Sequence, residues 1–274
     1  MPASDRSVTE GQKRFAFEED TAVEADGEDS FVANITDRWS IGGRPNGGYL
    51  MGAVLTALSQ RLKHPIPLTS TGHFLSPAQP GPAAIKVSVI KEGRSLSTAQ
   101  AVLSQGDRDR LVALATFGVP GDEGHTKVRE SAPILDGDLA SSIGRPSPFP
   151  IVERFELELP PEQARAASGN PDHTDGPAEF VGRIRFADGM PASPVAFPLL
   201  VDAFPPAVRR LGLIGWTPTL ELTVHTRGLP VPGPLTLRVG SRYLINGLVE
   251  EDGELWDQTG ALVAQSRQLA KIVT

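Results

Sequence analysis

No cysteine occurs anywhere in the 274 residues. That single absence removes disulfide frameworks, cysteine-rich zinc sites and thiol nucleophiles, and it fits a reducing compartment. An excess of positive charge is also missing, since the formal net charge is -7. General nucleic-acid binders and membrane-surface binders need a basic footprint, so neither class is expected. A phosphate-bearing ligand would have to meet a local cluster of Arg or Lys. Long apolar runs are absent too: the opening stretch Met1 to Arg14 is polar, without the apolar core of a signal peptide, and no later segment has the length and apolarity of a membrane span. The expectation is a soluble, cytoplasmic protein with no membrane and no nucleic-acid partner.

What is present is the composition of a folded globular chain, long enough for one large domain or two ordinary ones. From Asn46 to about Lys63, Leu50, Val54, Leu58 and Leu62 recur at helical spacing with Met51 and Leu55 beside them, which predicts a helix with one buried face. Asn46 suits its N-cap, and Gly47 and Gly48 leave the first-turn amides sterically open. Strand-like runs follow at Ala84 to Ile90, Leu96 to Ser104 and Leu111 to Phe117. The short turn segments between them, Lys91 to Arg94 and Gln105 to Asp107, imply antiparallel pairing. Residues 119 to 150 are rich in Gly, Pro, Asp and Ser and read as a linker.

The second half repeats the plan. Strands are expected at Val152 to Leu159 and Phe180 to Phe186, then a helix from about Pro198 to Leu211 that Pro205 and Pro206 should kink or split. Further strands are expected at Leu220 to Val224, Leu235 to Leu248 and Ala261 to Ile272, with turns at Glu251-Asp252-Gly253 and Asp257 to Gly260. Pro80-Gly81-Pro82 recurs as Pro232-Gly233-Pro234, a shift of 152 residues that also carries Thr71 onto Thr223 and His73 onto His225. The matching element order around these residues makes an internal duplication the better reading. A helix followed by antiparallel strands, twice over, suits two sheets each wrapped around a helix and placed side by side.

Four segments sharpen this. Gly42-Gly43 precedes Asn46-Gly47-Gly48-Tyr49-Leu50 at a helix start, and His73-Phe74-Leu75-Ser76-Pro77 follows. Then come Gly93-Arg94-Ser95-Leu96-Ser97 and the strand and turn from Asp257 through Gln268. In that order they resemble the acyl-CoA thioesterase II family of double hot-dog proteins, over most of residues 31 to 118 and 195 to 272. The resemblance implies an α+β fold of two tandem hot-dog units, residues 1–118 and 151–274, joined by 119–150. It also implies hydrolysis of an acyl-CoA or related acyl thioester, with no metal or redox cofactor. Pairing with another copy through exposed strand edges is expected by analogy with the fold.

Thioester hydrolysis needs a polarised carbonyl, an activated water and a stabilised oxyanion. Gly47, Gly48 and Tyr49, at a helix start, are candidates to present amides to the carbonyl oxygen, with Asn46 beside them. The paired glycines also have a plain reading as a tight turn. The family carries a catalytic Asp, Thr and Gln in its second unit, which the resemblance lays on Glu221, Arg242 (next to Ser241) and Gln268. Glu221 then becomes the water-activating carboxylate and Gln268 its orienting partner, against plain readings as polar strand residues. Arg242 is assigned either to pairing with Glu221 or to a CoA phosphate, with an ordinary surface Arg as its alternative.

His73 is a candidate substrate contact, although equivalent positions make His73 and His225 equally readable as structural echoes packed under each sheet. Asp202, on the second helix, is a further carboxylate candidate against the alternative of an exposed helix carboxylate. Other chemistries lack their signatures. No Gly-x-Ser-x-Gly elbow, Walker-type loop or His-Glu-x-x-His motif occurs, and no histidine has the Asp five residues before it that hot-dog hydratases show. The competing function is a non-catalytic acyl-thioester-binding accessory protein, which an Arg in place of the Thr would favour.

Overall fold

The computed structural model describes residues 14–121, 126–128, 130–142, 147–168, 176–213 and 215–273. The polar opening stretch before Arg14 and parts of the 119–150 segment lie outside the described residues. The first half runs α1 (Ala16–Asp20), β1 (Val23–Ala25), β2 (Ser30–Ile35) and a small hairpin of β3 (Ser40–Ile41) and β4 (Arg44–Pro45). It continues through α2 (Gly47–Arg61), β5 (Ile66–Phe74), β6 (Gly81–Glu92), β7 (Ser97–Gln105) and β8 (Arg108–Gly118). The second half runs β9 (Ala140–Ser141), β10 (Phe155–Leu159), α3 (Pro161–Ala167), β11 (Glu179–Phe186), α4 (Phe197–Val201) and β12 (Thr219–Thr226). It closes with β13 (Leu235–Gly240), β14 (Leu244–Ile245), β15 (Leu248–Trp256) and β16 (Leu262–Lys271).

One antiparallel sheet spans both halves in the order β1-β2-β6-β7-β8-β5-β12-β16-β15-β13-β11-β10-β9, with β14 paired to β15. Outward from its centre, β5, β8, β7, β6, β2 on one side answer β12, β16, β15, β13, β11 on the other. The halves meet where β5 pairs β12, with Thr71 opposite Thr223 and their hydroxyls 2.9 Å apart across the predicted 152-residue shift. The fold is therefore the α+β double hot dog.

The main helix is more enclosed than its periodicity suggests. Instead of one apolar stripe, α2 is buried almost all round, with Gly48 to Leu55, Ala57 and Leu58 all inaccessible. The sheet wraps one side, and Ala99, Ala101, Ala113 and Ala115 keep its concave surface flat enough for close approach. α4 covers the helix start on the other side. The Asn46 side chain caps α2, accepting from the Tyr49 amide at 3.0 Å, as expected of that residue type. The second helical region is split around Pro205-Pro206 into α4 and a 3₁₀ turn at Ala207–Leu211.

Several boundaries differ from the sequence expectation: the strand expected from Val152 begins at Phe155 after a 3₁₀ turn, and the run expected from Leu235 to Leu248 divides into β13 and β14. Glu251-Asp252-Gly253 is not a turn but the middle of β15. The chain reverses earlier, at Asn246-Gly247, where both residues have positive φ, 54° and 76°, as a two-residue hairpin of primed type requires.

α2 and α4 cross so closely that a Cβ on Gly48 would lie 2.2 Å from the Pro198 carbonyl oxygen and 2.6 Å from the Leu199 Cα. Those are backbone atoms, which cannot swing aside. Gly48→Ala is expected to destabilise the protein by about 1–3 kcal/mol, as overpacking of a core does. Thermal unfolding followed by circular dichroism checks this, and an unchanged midpoint would be incompatible with the crossing.

Candidate active site

A cavity of about 560 Å³ opens where the two halves meet at the start of α2, within the roughly 300–1,000 Å³ typical of small-molecule sites. Leu50, Phe74, Phe204, Val208 and Val249 give it apolar walls. Its polar lining includes Asn46 and Gly47 from the first half, and Asp202, Thr219, Glu251 and Gln268 from the second.

Asp202 follows α4 directly, and the break at Pro205-Pro206 leaves it facing the start of α2. Its Oδ2 accepts from Asn46 Nδ2 at 2.8 Å and from the Gly48 amide at 3.3 Å, while Oδ1 has no protein partner among the described residues. Burial pushes the carboxyl up to about 6, against the lowering effect of the Gly48 and Asn46 bonds. The positive end of α2 acts in the same direction as those bonds.

Thr219 reaches the cavity through an irregularity in β12. Thr219 pairs with Ala270 of β16, but Glu221 pairs with Leu269, so Leu220 is an extra residue at this point. Ala270 is buried and Leu269 exposed, so the bulge turns Thr219 inward while Glu221 stays on the outer face, although the two are two residues apart. Gln268 is the inward neighbour on β16, flanked by Leu222 on β12 and Glu251 on β15. Its Oε1 accepts from the Thr219 hydroxyl at 2.8 Å, and its Nε2 donates to Glu251 Oε1 at 2.7 Å. The other Glu251 oxygen accepts from the Ala207 amide at 2.6 Å. Burial pushes the Glu251 carboxyl up to about 7, offset by the Ala207 and Gln268 bonds and reinforced by the negative charges of Asp202 and Glu250.

The other sequence candidates fall in different places. Glu221 does not line the cavity; it accepts from the Thr223 hydroxyl and sits opposite His73 of β5 on the outer face. His73 and His225 are both exposed on that face rather than packed under the sheets. Arg242 is exposed beyond the end of β13, where it pairs with Asp252 at 2.8 Å and with Glu250, not with Glu221. The Gly48 and Tyr49 amides are already engaged, by Asp202 and by the Asn46 cap. The Gly47 amide, at the cavity wall, has no protein partner among the described residues. The Tyr49 ring is fully buried, its hydroxyl donating to the Asp20 carbonyl and accepting from the Thr36 amide.

An Asp, a Thr and a Gln thus line one cavity, at Asp202, Thr219 and Gln268. Asp202 is not an exposed helix carboxylate but a half-buried residue at the end of α4. Thr219 and Glu251 were not singled out by the sequence. Thr219 belongs to an alternating strand whose parity points it outward, and Glu251 belongs to what reads as a turn.

Comparison with known proteins agrees with this architecture. The profile of the acyl-CoA thioesterase N-terminal domain matches residues 35–118, and that of the acyl-CoA thioesterase C-terminal domain matches residues 130–272. A crystal structure from Thermobifida fusca YX, assigned as a thioesterase II, is similar with a TM-score of 0.85 and 31% identity, covering 94% of this chain and 98% of that one. An acyl-CoA thioesterase II of Mycobacterium marinum shares the fold at 17% identity, with a TM-score of 0.70 over 94% of this chain and 98% of that one. A Mycobacterium tuberculosis protein is 26% identical over 263 residues, covering 88% of this chain and 90% of its own length. The two matched domains lie in tandem across the same two halves of the sheet that enclose the cavity, and the chain belongs to the acyl-CoA thioesterase family.

Proposed function

We propose that the protein hydrolyses an acyl-CoA or a related acyl thioester to the free acid and thiol, with Asp202, Thr219 and Gln268 holding and activating the attacking water. The observation that carries this reading is the convergence of those three side chains on one apolar-walled cavity at the start of α2. The Asp202 carboxylate takes a proton from water, and the resulting oxygen nucleophile attacks the thioester carbonyl. The carbonyl oxygen is received by the Gly47 amide at the positive end of α2. Collapse of the tetrahedral species expels the thiolate, which recovers the proton from Asp202. The acyl chain lies along Leu50, Phe74, Phe204 and Val208.

The test is release of free CoA from short, medium, long and aromatic acyl-CoAs, read with a thiol reagent. The signal belongs to product alone, because the protein has no cysteine. Release above the buffer rate with at least one acyl group is expected, whereas no release across the panel would overturn the reading. Within an active panel, Thr219→Val should lower kcat about 10- to 100-fold, the value of one hydrogen bond to the reacting water, with KM little changed. An undiminished kcat would remove Thr219 from the mechanism.

A further inference from the structure

We propose that Glu251 is a positioning residue of this site, fixing the direction of the hydrogen bonds that run from Gln268 to Thr219 and so the orientation of the attacking water. The inference rests on the hydrolytic reading above. It begins from an ambiguity in two of the side chains. A carboxamide has nearly the same shape in its two flipped orientations, and a threonine hydroxyl donates or accepts equally well. Left to themselves, Gln268 and Thr219 could therefore bond in either direction.

Glu251 removes that freedom. An ionised carboxylate only accepts. One of its oxygens is held by the Ala207 amide at 2.6 Å, and the other faces Gln268 at 2.7 Å, where only the Nε2 end of the amide can satisfy it. Gln268 must then turn Oε1 toward Thr219, and Thr219 must donate to it, as it does at 2.8 Å. With its proton committed, the Thr219 oxygen offers the cavity lone pairs only. A water there donates one hydrogen to Thr219 and the other to Asp202, and its own lone pair is left for the carbonyl carbon. Glu251 acts through Gln268, setting the polarity of the groups that hold the water. Its place opposite Gln268 in the β15–β16 register makes the contact a property of the sheet rather than of a mobile loop.

Reversal and repair test this. In Glu251→Gln, the new side chain must still accept from the Ala207 amide, so its NH₂ faces position 268. Gln268 then flips, and Thr219 becomes an acceptor that points its proton at the water. Adding Gln268→Glu restores the original polarity, because the carboxylate introduced at position 268 accepts from both the new amide and Thr219. Steady-state hydrolysis at pH 8 is expected to show kcat lowered about 10-fold or more in Glu251→Gln with KM within about twofold, and substantially recovered in the double exchange. A Glu251→Gln variant with undiminished kcat, or a folded double exchange no faster than the single variant, would overturn the inference and leave hydrolysis by an Asp202-dependent enzyme standing. Absence of wild-type hydrolysis, or a rate indifferent to Asp202→Asn, would overturn the hydrolytic reading and this inference with it.

Discussion

Asp202→Asn is expected to lower the proposed hydrolysis of acyl-CoA by about 10²- to 10⁴-fold, the usual contribution of a positioned general base. The substitution is nearly isosteric, and its carbonyl oxygen can still accept from Asn46 Nδ2 and the Gly48 amide, so the approach to α2 is kept while basicity is lost. The loss should appear in kcat and in kcat/KM alike, because the missing interaction belongs to the transition state. In the wild type only the ionised carboxyl accepts a proton, and burial holds it at about 6. The rate should rise with pH through that region and level off above it, and the rising limb should disappear in the variant. A variant that keeps its rate within threefold would place the base elsewhere.

The second large effect is on stability and has the opposite sign. Burial raises Asp202 from 3.8 to about 6 and Glu251 from 4.5 to about 7. A carboxyl raised in the folded state binds its proton more tightly there than in the unfolded chain. Below the unfolded value both states are protonated and the group costs nothing extra. As pH climbs from the unfolded to the folded value stability is lost, and above the folded value the whole cost is present. Each group costs about 3 kcal/mol at pH 8, with the repulsion by Asp202 forming part of the cost at Glu251. Urea unfolding of Glu251→Gln is expected to show up to about 3 kcal/mol more stability relative to wild type at pH 8 than at pH 4.5. The same difference at both pH values would mean that Glu251 is not ionised at a cost. Together with the slower turnover expected of the same variant, such a result would be the exchange of stability for activity that a site built for chemistry predicts.

The fold was legible because its signals are local and repeated. Leucine spacing marked α2, Asn46 marked its start, Gly106 and Gly260 marked tight turns, and the Pro-Gly-Pro pair gave the offset between halves. The site was less legible because its residues depend on two departures from regular alternation. The extra residue at Leu220 gives Thr219 and Glu221 opposite faces, and nothing in the string Thr219-Leu220-Glu221-Leu222 announces a bulge. Two Gly-containing dipeptides compete for the hairpin, Asn246-Gly247 and Asp252-Gly253. Only pairing across β13, β15 and β16 decides for the first, and so returns Glu251 to a strand with its side chain inward. Gln268 needed neither correction, since β16 pairs with β15 in unbroken register from Ala264 to Lys271.

The 152-residue offset also tells what became of the mirror-image position. Carried back by that offset, Asp202 falls on Leu50, Thr219 on Pro67, Glu251 on Ala99 and Gln268 on Thr116. No carboxyl survives among them, and Leu50 instead forms part of the apolar wall beside Asp202. Two identical halves would be obliged to carry the same residue at both places. One chain with two unlike halves is free of that obligation, so a carboxyl at Asp202 and an apolar wall at Leu50 can stand at corresponding places of the same cavity.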